Sequence, residues 1–322
     1  MKRKSFIVFL CIEFTALVGL SALTSKYPQI FSSLIAFPFE QIGRGLRFLS
    51  LSGRIGNGLA LSIWIGLSAL PLIPAMRNWD LKGHKLENFA LCLLSVVLFT
   101  GLLNIANPGA LFASPFDIDH RILYAVNAII IWSVVILYVI LRLIRLYQSA
   151  GLNELLRYAK SLLYILCILF VGVISISCGQ KLAAILGSIN HPMDVAMTIE
   201  KNPINAVMAA ISFIAALLPY LLDVIITFSS IALLDMLIQK RTAGLMDAVK
   251  HLSHQCCICL GLTPVSVIIL NFLQLLLSHW LTDISINAQI PLMSIAFVLA
   301  IFLICQLISE NLRLQADNDL FI

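Results

Sequence analysis

The segment HLSHQCCIC holds the best metal-ligand candidates in this sequence. His251, His254 and Cys257 follow one another at intervals of three, so on a helix they share one broad face. Imidazole and thiolate are ligands that suit zinc or copper, and Cys256 and Cys259 add a C-x-x-C spacing. A closed structural site needs four ligands, and no second cluster supplies the fourth. These residues are therefore a weak metal candidate, and the alternative is a helix end with packed thiols and interfacial histidines.

Motifs of enzymes are incomplete. The segment GRIGNGLA, from Gly53 to Ala60, has the glycine spacing of a phosphate-binding loop but lacks the Lys-Ser/Thr pair that contacts phosphate and magnesium. The segment GLSAL lacks the second glycine of a nucleophile elbow, and HExxH does not occur. We therefore predict that the protein is not an enzyme, has no catalytic residues and binds no cofactor.

The composition predicts a membrane protein. Of the 322 residues, 60% are hydrophobic and 11% are charged, whereas soluble domains have about 45–50% apolar and about 25% charged residues. Such a chain cannot cover itself with polar surface, which excludes a water-soluble monomer and a disordered chain. Eight cysteines, mostly within apolar runs, do not form an extracellular disulfide framework.

Eight apolar runs approach the ~20 residues that a bilayer requires. They lack the alternation of a membrane β-barrel, so we expect an all-α, polytopic transmembrane helical bundle. The first run follows a basic start like a signal peptide, but its length favours a retained helix. The predicted spans are Phe6–Leu23, Gly58–Met76, Asn88–Ile105, Ile122–Leu146, Ser161–Gly179, Leu217–Ile238, Cys256–Leu277 and Ala288–Ile308.

The distribution of Lys and Arg predicts the orientation. With the N-terminus inside, the cytoplasmic segments hold 14 of the 21 basic residues and the outer segments hold 7. By the positive-inside rule, both termini face the cytoplasm. The basic residues form no dense stripe, so we predict the lipid bilayer and not nucleic acid as a partner.

Two outer segments are predicted to carry surface helices. Residues 30–49 place apolar side chains at intervals of three and four between arginines, which is typical of a helix lying in the membrane interface. A helix that caps the bundle is the alternative. Residues 204–238 are apolar for 35 residues, longer than one span requires. We expect a surface helix near 204–216 and a bend at Pro219, and one long helix is the alternative.

The layout of spans and loops is similar in the two halves. Residues 1–150 and 151–322 would each form a four-span unit, and an even number of spans makes both units enter from the same side. No letter-by-letter repeat is visible, so duplication in parallel orientation is a hypothesis from layout alone.

Residues 231–252, IALLDMLIQKRTAGLMDAVKHL, and 302–322, FLICQLISENLRLQADNDLFI, carry a resemblance. The second half resembles a bacterial family of small four-helix integral membrane proteins of unknown function. Such proteins close on a Leu-rich polar tail with an Asn-Asp-Leu-x-Ile-like end, although Phe321 stands where the family usually has a small polar residue. The resemblance implies the bacterial cytoplasmic membrane and a regulatory accessory role beside a cytoplasmic regulator.

Four polar residues inside spans could have a role of their own: Glu13, Asn127, Asp223 and Asn271. A carboxylate in hydrocarbon is costly and normally turns toward a partner. By helix rise, Asp223, Asn127 and Asn271 lie at similar depths, so we expect a layer in which Asp223 accepts hydrogen bonds from the two amides. Separate local bonds are the alternative.

The small number of ionisable groups inside the predicted spans favours an accessory or sensory protein over a transporter. Transporters usually place several such groups near the bilayer midplane. We therefore expect a non-enzymatic accessory, sensory or immunity-type multi-pass protein of the bacterial cell membrane, whose partner is another membrane protein or a cytoplasmic regulator. A small secondary transporter or channel is the alternative.

Overall fold

A computed structural model of the chain describes residues 3–77, 85–107, 120–190, 203–239, 244–279 and 291–319. Within these ranges the regular structure is entirely helical, as the sequence predicts. The eleven described helices are α1 Arg3–Lys26, α2 Pro28–Ala36, α3 Phe39–Leu51, α4 Arg54–Ala69, α5 Leu72–Arg77, α6 Lys85–Ala106, α7 His120–Ser149, α8 Leu152–Asn190, α9 Pro203–Ile238, α10 Leu245–Leu276 and α11 Leu292–Asp319.

Seven of the described helices are long and apolar enough to cross a membrane: α1, α6, α7, α8, α9, α10 and α11. The second predicted span, Gly58–Met76, is divided into α4 and α5 by a turn at Leu70 and Pro71. A proline is tolerated in the first turn of a helix. It interrupts the helix that comes before it, because it has no amide hydrogen to donate. Whether α4 and α5 together form an eighth span, and whether both termini are cytoplasmic, therefore stay predictions.

The described helices form two compact units. The larger unit consists of residues 1–25 and 151–322, with α1 and α8 to α11, and the smaller unit consists of residues 26–150, with α2 to α7. From the layout of spans and loops we predicted the units 1–150 and 151–322, whereas α1 groups with the C-terminal helices in this division. Two four-span units in parallel orientation stay a prediction.

The contacts between α1 and α8 explain this grouping. The Phe6 ring, which is buried, meets the ring of Tyr164 edge-on at a centroid distance of 4.5 Å. Near the other end of α1, the Ser21 hydroxyl donates a 2.8 Å hydrogen bond to the carbonyl of Ile176. Gly179 lets the two backbones approach, since a Cβ there would lie 2.5 Å from the Val18 carbonyl oxygen. Small residues commonly permit such close packing between membrane helices.

The predicted interfacial helix near 30–49 is two helices, α2 and α3, which are separated at Phe37 and Pro38. They pack within the smaller unit: the Phe39 ring lies 5.6 Å from that of Trp132 on α7. A Cβ at Gly43 would lie 3.0 Å from Cβ of Ile105 on α6. This packing favours the alternative that the segment caps a bundle.

The predicted surface helix near 204–216 is wrong, because it is the first part of α9. This helix continues without interruption through Pro219 and has 36 residues, or about 54 Å at 1.5 Å per residue. A proline removes one backbone hydrogen bond, and in a membrane helix packed neighbours make that loss tolerable. The neighbours on which α9 packs are α8, α10 and α11.

Replacing Gly179 with Ala should loosen α1 from α8. The added methyl group would meet the Val18 carbonyl and the Ser21 side chain, both within 2.7 Å, so the helices must separate and lose packing. We expect a lower thermal unfolding midpoint of the purified protein in detergent. Gly19→Ala is the matched control, because nothing lies within 4 Å of a Cβ at that position of α1. Equal midpoints for the two variants would contradict the described packing.

Reporter fusions distinguish seven spans from eight. If α4 and α5 cross together, fusions after Arg77, Lys160 and Arg241 and at the C-terminus all report the cytoplasm, as the charge distribution predicts. Arg241 and residues 320–322 lie outside the described residues. If the pair does not cross, the two termini report opposite sides. A periplasmic signal from any of these four fusions would contradict the predicted orientation.

Candidate functional site

The candidate site is the buried carboxylate of Asp223 in the larger unit. Asp223 lies near the middle of α9, and its side chain is 0% exposed. Its Oδ1 accepts a 2.9 Å hydrogen bond from the hydroxyl of Ser294, in the first turn of α11. Its Oδ2 is buried and has no hydrogen-bond donor among the described residues. Half of the carboxylate is therefore left unsatisfied.

Neighbouring hydroxyl groups donate to backbone atoms instead. The Thr227 hydroxyl, one turn along α9, donates to the backbone carbonyl of Asp223 at 2.7 Å. The Ser230 hydroxyl donates to the Ile226 carbonyl at 2.8 Å. Each hydroxyl has one hydrogen to donate, so neither side chain can also donate to the Asp223 carboxylate in this arrangement.

Asn127 and Asn271 were predicted to donate hydrogen bonds to Asp223, and the described donor to its carboxylate is Ser294. Asn127 belongs to the smaller unit, where its amide nitrogen donates to the Leu123 carbonyl of its own helix at 2.8 Å. Asn271 lies on α10 in the larger unit, but Asp223 has Ser294 as its donor. The local-bond alternative therefore describes Asn127.

The register between α9 and α10 explains why Asn271 is not the donor. The amide nitrogen of Gln274 lies 3.5 Å from the hydroxyl of Ser212, which brings these two residues level. Asp223 is eleven residues further along α9, so in antiparallel helices it comes level with Thr263 on α10, roughly 12 Å from Asn271 by helix rise. The predicted depth of Asp223 assumed that its helix begins at Leu217, whereas α9 begins at Pro203.

A second intramembrane acid, Glu13 on α1, belongs to the same unit. Glu13 Oε1 would lie 3.9 Å from a Cβ at Gly172 on α8, so the carboxylate faces α8 at that glycine. Its Oε2 is buried and has no hydrogen-bond partner in the described part of the chain. Like Asp223, Glu13 therefore has a carboxylate oxygen that no described residue satisfies.

Both acids lie at about the same level of the unit. Lys160 on α8 forms an ion pair with Asp235 on α9, which fixes the register of these antiparallel helices. Gly172 lies twelve residues beyond Lys160, and Asp223 lies twelve residues before Asp235. Both positions are therefore ~18 Å from the ion pair at 1.5 Å per residue.

Two other described acids have cationic partners from a neighbouring helix. Asp235 is paired with Lys160, and in the smaller unit the buried Glu87 receives the Arg145 guanidinium at 2.9 Å. Asp223 and Glu13 form no ion pair with a described Lys, Arg or His. Chemically, a buried acid of this kind can hold a proton or a small cation.

The metal candidates do not form a site in the described residues. His251, His254 and Cys257 are exposed on one face of α10. The C-x-x-C residues Cys256 and Cys259 are buried on the opposite face, in a core cluster that also contains Cys305. No group of three His, Cys, Asp or Glu side chains in the described ranges could hold a metal ion. All eight cysteines are free thiols.

The sequence indicated Asp223 and Glu13 as intramembrane acids. It did not indicate that Ser294 donates to Asp223, or that Lys160 and Arg145 pair with Asp235 and Glu87. Ser294 had a weak signal, since it is a hydroxyl residue at the start of the last apolar run. Serine is common in membrane helices, however, and its hydroxyl usually bonds within its own helix. Only the packing of α11 on α9 distinguishes this serine from the others.

Comparison with known proteins adds no relative: no protein-family model, curated protein or solved structure matches the chain. The resemblance of residues 231–252 and 302–322 to a bacterial family therefore gains no support. The class of the molecule is established by its own helices: seven long apolar helices indicate an integral, multi-pass membrane protein.

Proposed function

We propose that the protein is a non-enzymatic accessory, sensory or immunity-type component of the bacterial cytoplasmic membrane, and that it acts by binding another membrane protein. The observation that carries this proposal is an apolar groove along α1, next to a row of small side chains. A cytoplasmic regulator as partner remains a second form of the same proposal, suggested by the family resemblance.

The groove has a volume of about 560 Å³. Its walls come from three helices of the larger unit: Ile7, Leu10, Cys11, Phe14 and Thr15 on α1, Val171 on α8 and Phe228 on α9. The only hydroxyl in this lining belongs to Thr15, which lies within bonding distance of the Cys11 and Ile12 carbonyls, at 3.1 and 3.0 Å. The groove can therefore accommodate an apolar occupant, and it presents no polar group that needs a hydrogen-bond partner.

Small residues continue from the groove along α1. Cys11, Thr15 and Gly19 follow one another at intervals of four, so they lie on one face, and all three are exposed. In lipid there is little hydrophobic gain from helix association, so packing of small residues against a neighbouring helix is a main source of affinity. A spaced row of small residues beside a groove favours a partner helix as the occupant.

A small secondary transporter or channel is the second candidate function. The observation that favours it is the pair of intramembrane acids, Asp223 and Glu13, because such groups commonly mark ion or proton pathways. The groove on α1 gives no support to that function, since its lining is apolar.

A bulky side chain in the groove should displace the partner. We expect wild-type protein, purified in mild detergent from its own membrane, to carry a stoichiometric membrane protein, and Thr15→Trp to lose it. Ile12→Trp is the matched control, because Ile12 is 62% exposed on the same helix and lies outside the groove. Loss of the partner in both variants, or in neither, would contradict binding at the groove. A lone wild-type protein that moves a solute in liposomes would favour the transporter.

A further inference from the structure

We propose that Asp223 and Ser294 form an intramembrane proton-binding site, in which Asp223 is a neutral carboxylic acid at neutral pH. The proton resides on Oδ2, and Oδ1 is the carbonyl oxygen that accepts the Ser294 hydrogen bond. This inference goes beyond the proposed function and does not depend on it, because neither Asp223 nor Ser294 lines the groove on α1.

The supply of hydrogen-bond donors determines which form of the acid is stable. An ionised carboxylate has about four acceptor positions, and burial without donors or a cation strongly disfavours the charge. Here one donor, the Ser294 hydroxyl, reaches Oδ1 at 2.9 Å. No donor among the described residues reaches Oδ2. Adding a proton to Oδ2 removes the charge that this environment does not satisfy.

The charged groups of the surrounding helices do not compensate the carboxylate. On α8, Lys160 is paired with Asp235, and the Lys181 ammonium lies 5.7 Å from the centre of the Phe213 ring, level with an earlier part of α9. On α11, the first ionisable side chain after Ser294 other than a thiol is Glu310, four turns away. The described cations of α8 and the acidic side chains of α11 are therefore distant from Asp223.

The remaining titratable groups near Asp223 would oppose its ionisation. The Cys259 thiol on α10 and the Cys305 thiol on α11 are buried in one core cluster with Ile226, which lies about one turn from Asp223 on α9. On α8, the Cys167 thiol is buried in a second cluster with Phe6 of α1. A thiol is either neutral or negative, so none of these groups stabilises a negative charge on Asp223.

A proton fits this site better than a metal cation does. Sodium and other hard cations require several oxygen ligands around one point. At Asp223 the nearby hydroxyl of Ser294 directs its hydrogen toward the carboxylate, and that of Thr227 directs its hydrogen toward the backbone. No described set of three His, Cys or acidic side chains surrounds the position. A proton needs one oxygen, and Oδ2 provides it.

Infrared spectroscopy of the purified full-length protein in detergent tests the proposal. A protonated carboxyl group has a carbonyl stretch that is separate from the bands of carboxylates and amides. We expect wild-type protein at neutral pH to show this band, Asp223→Asn to lose one carboxyl's share of it, and Asp235→Asn to retain it. Asp235 is the matched control because it is ion-paired with Lys160. An unchanged band in Asp223→Asn would overturn the proposal.

Two further measurements on the same samples make the assignment specific. Ser294→Ala should shift the Asp223 band to higher frequency, because the carbonyl oxygen Oδ1 then loses its hydrogen bond. A band that does not shift would contradict the placement of the proton on Oδ2. Sodium chloride at constant pH should leave the band unchanged, and its disappearance with sodium would replace the proton with a metal cation as the ligand. Asp223→Asn keeps an oxygen acceptor for Ser294, so we expect it to fold.

Discussion

The structure depends on one constraint: charge and polar backbone inside a bilayer must be satisfied by the protein itself, because the hydrocarbon supplies no hydrogen bonds. The long helices satisfy their backbone internally. Two acids satisfy their charge with a cation from a neighbouring helix, Glu87 with Arg145 and Asp235 with Lys160. Asp223 has a single hydroxyl donor and Glu13 has an oxygen with none among the described residues. Each of these two acids therefore has a carboxylate oxygen that no described residue satisfies.

The larger unit brings the unsatisfied acids together through long antiparallel helices. α8 has 39 residues and α9 has 36. The ion pair between Lys160 and Asp235 determines which residues of these two antiparallel helices lie at the same level. α1 joins this unit through Gly179, where no side chain keeps the two backbones apart. As a result Glu13 and Asp223 lie at about the same level of the unit, although they are 210 residues apart in the sequence.

The sequence predicts the helical class because apolar runs of bilayer length have no other stable form in lipid. It also identifies Asp223 and Glu13, since acids are rare in such runs. It does not predict that α9 begins at Pro203 and continues through Pro219, because a proline ends a helix only when neighbouring helices do not compensate the lost hydrogen bond. Nor does it predict Ser294 as the donor to Asp223. That choice depends on register, which is set by contacts such as Gln274 with Ser212, 62 residues apart.

The central claim, that the fold encloses a protonated Asp223, is tested most directly by thermal stability as a function of pH. If the folded protein keeps this proton and the unfolded chain releases it, the folded state binds more protons, so stability falls as pH rises above the ordinary range of an aspartic acid. The slope is up to ~1.4 kcal/mol per pH unit for one group, until the folded site ionises. We predict a steeper fall for wild-type protein than for Asp223→Asn, in which this linkage is absent. Parallel curves for the two proteins would contradict the account.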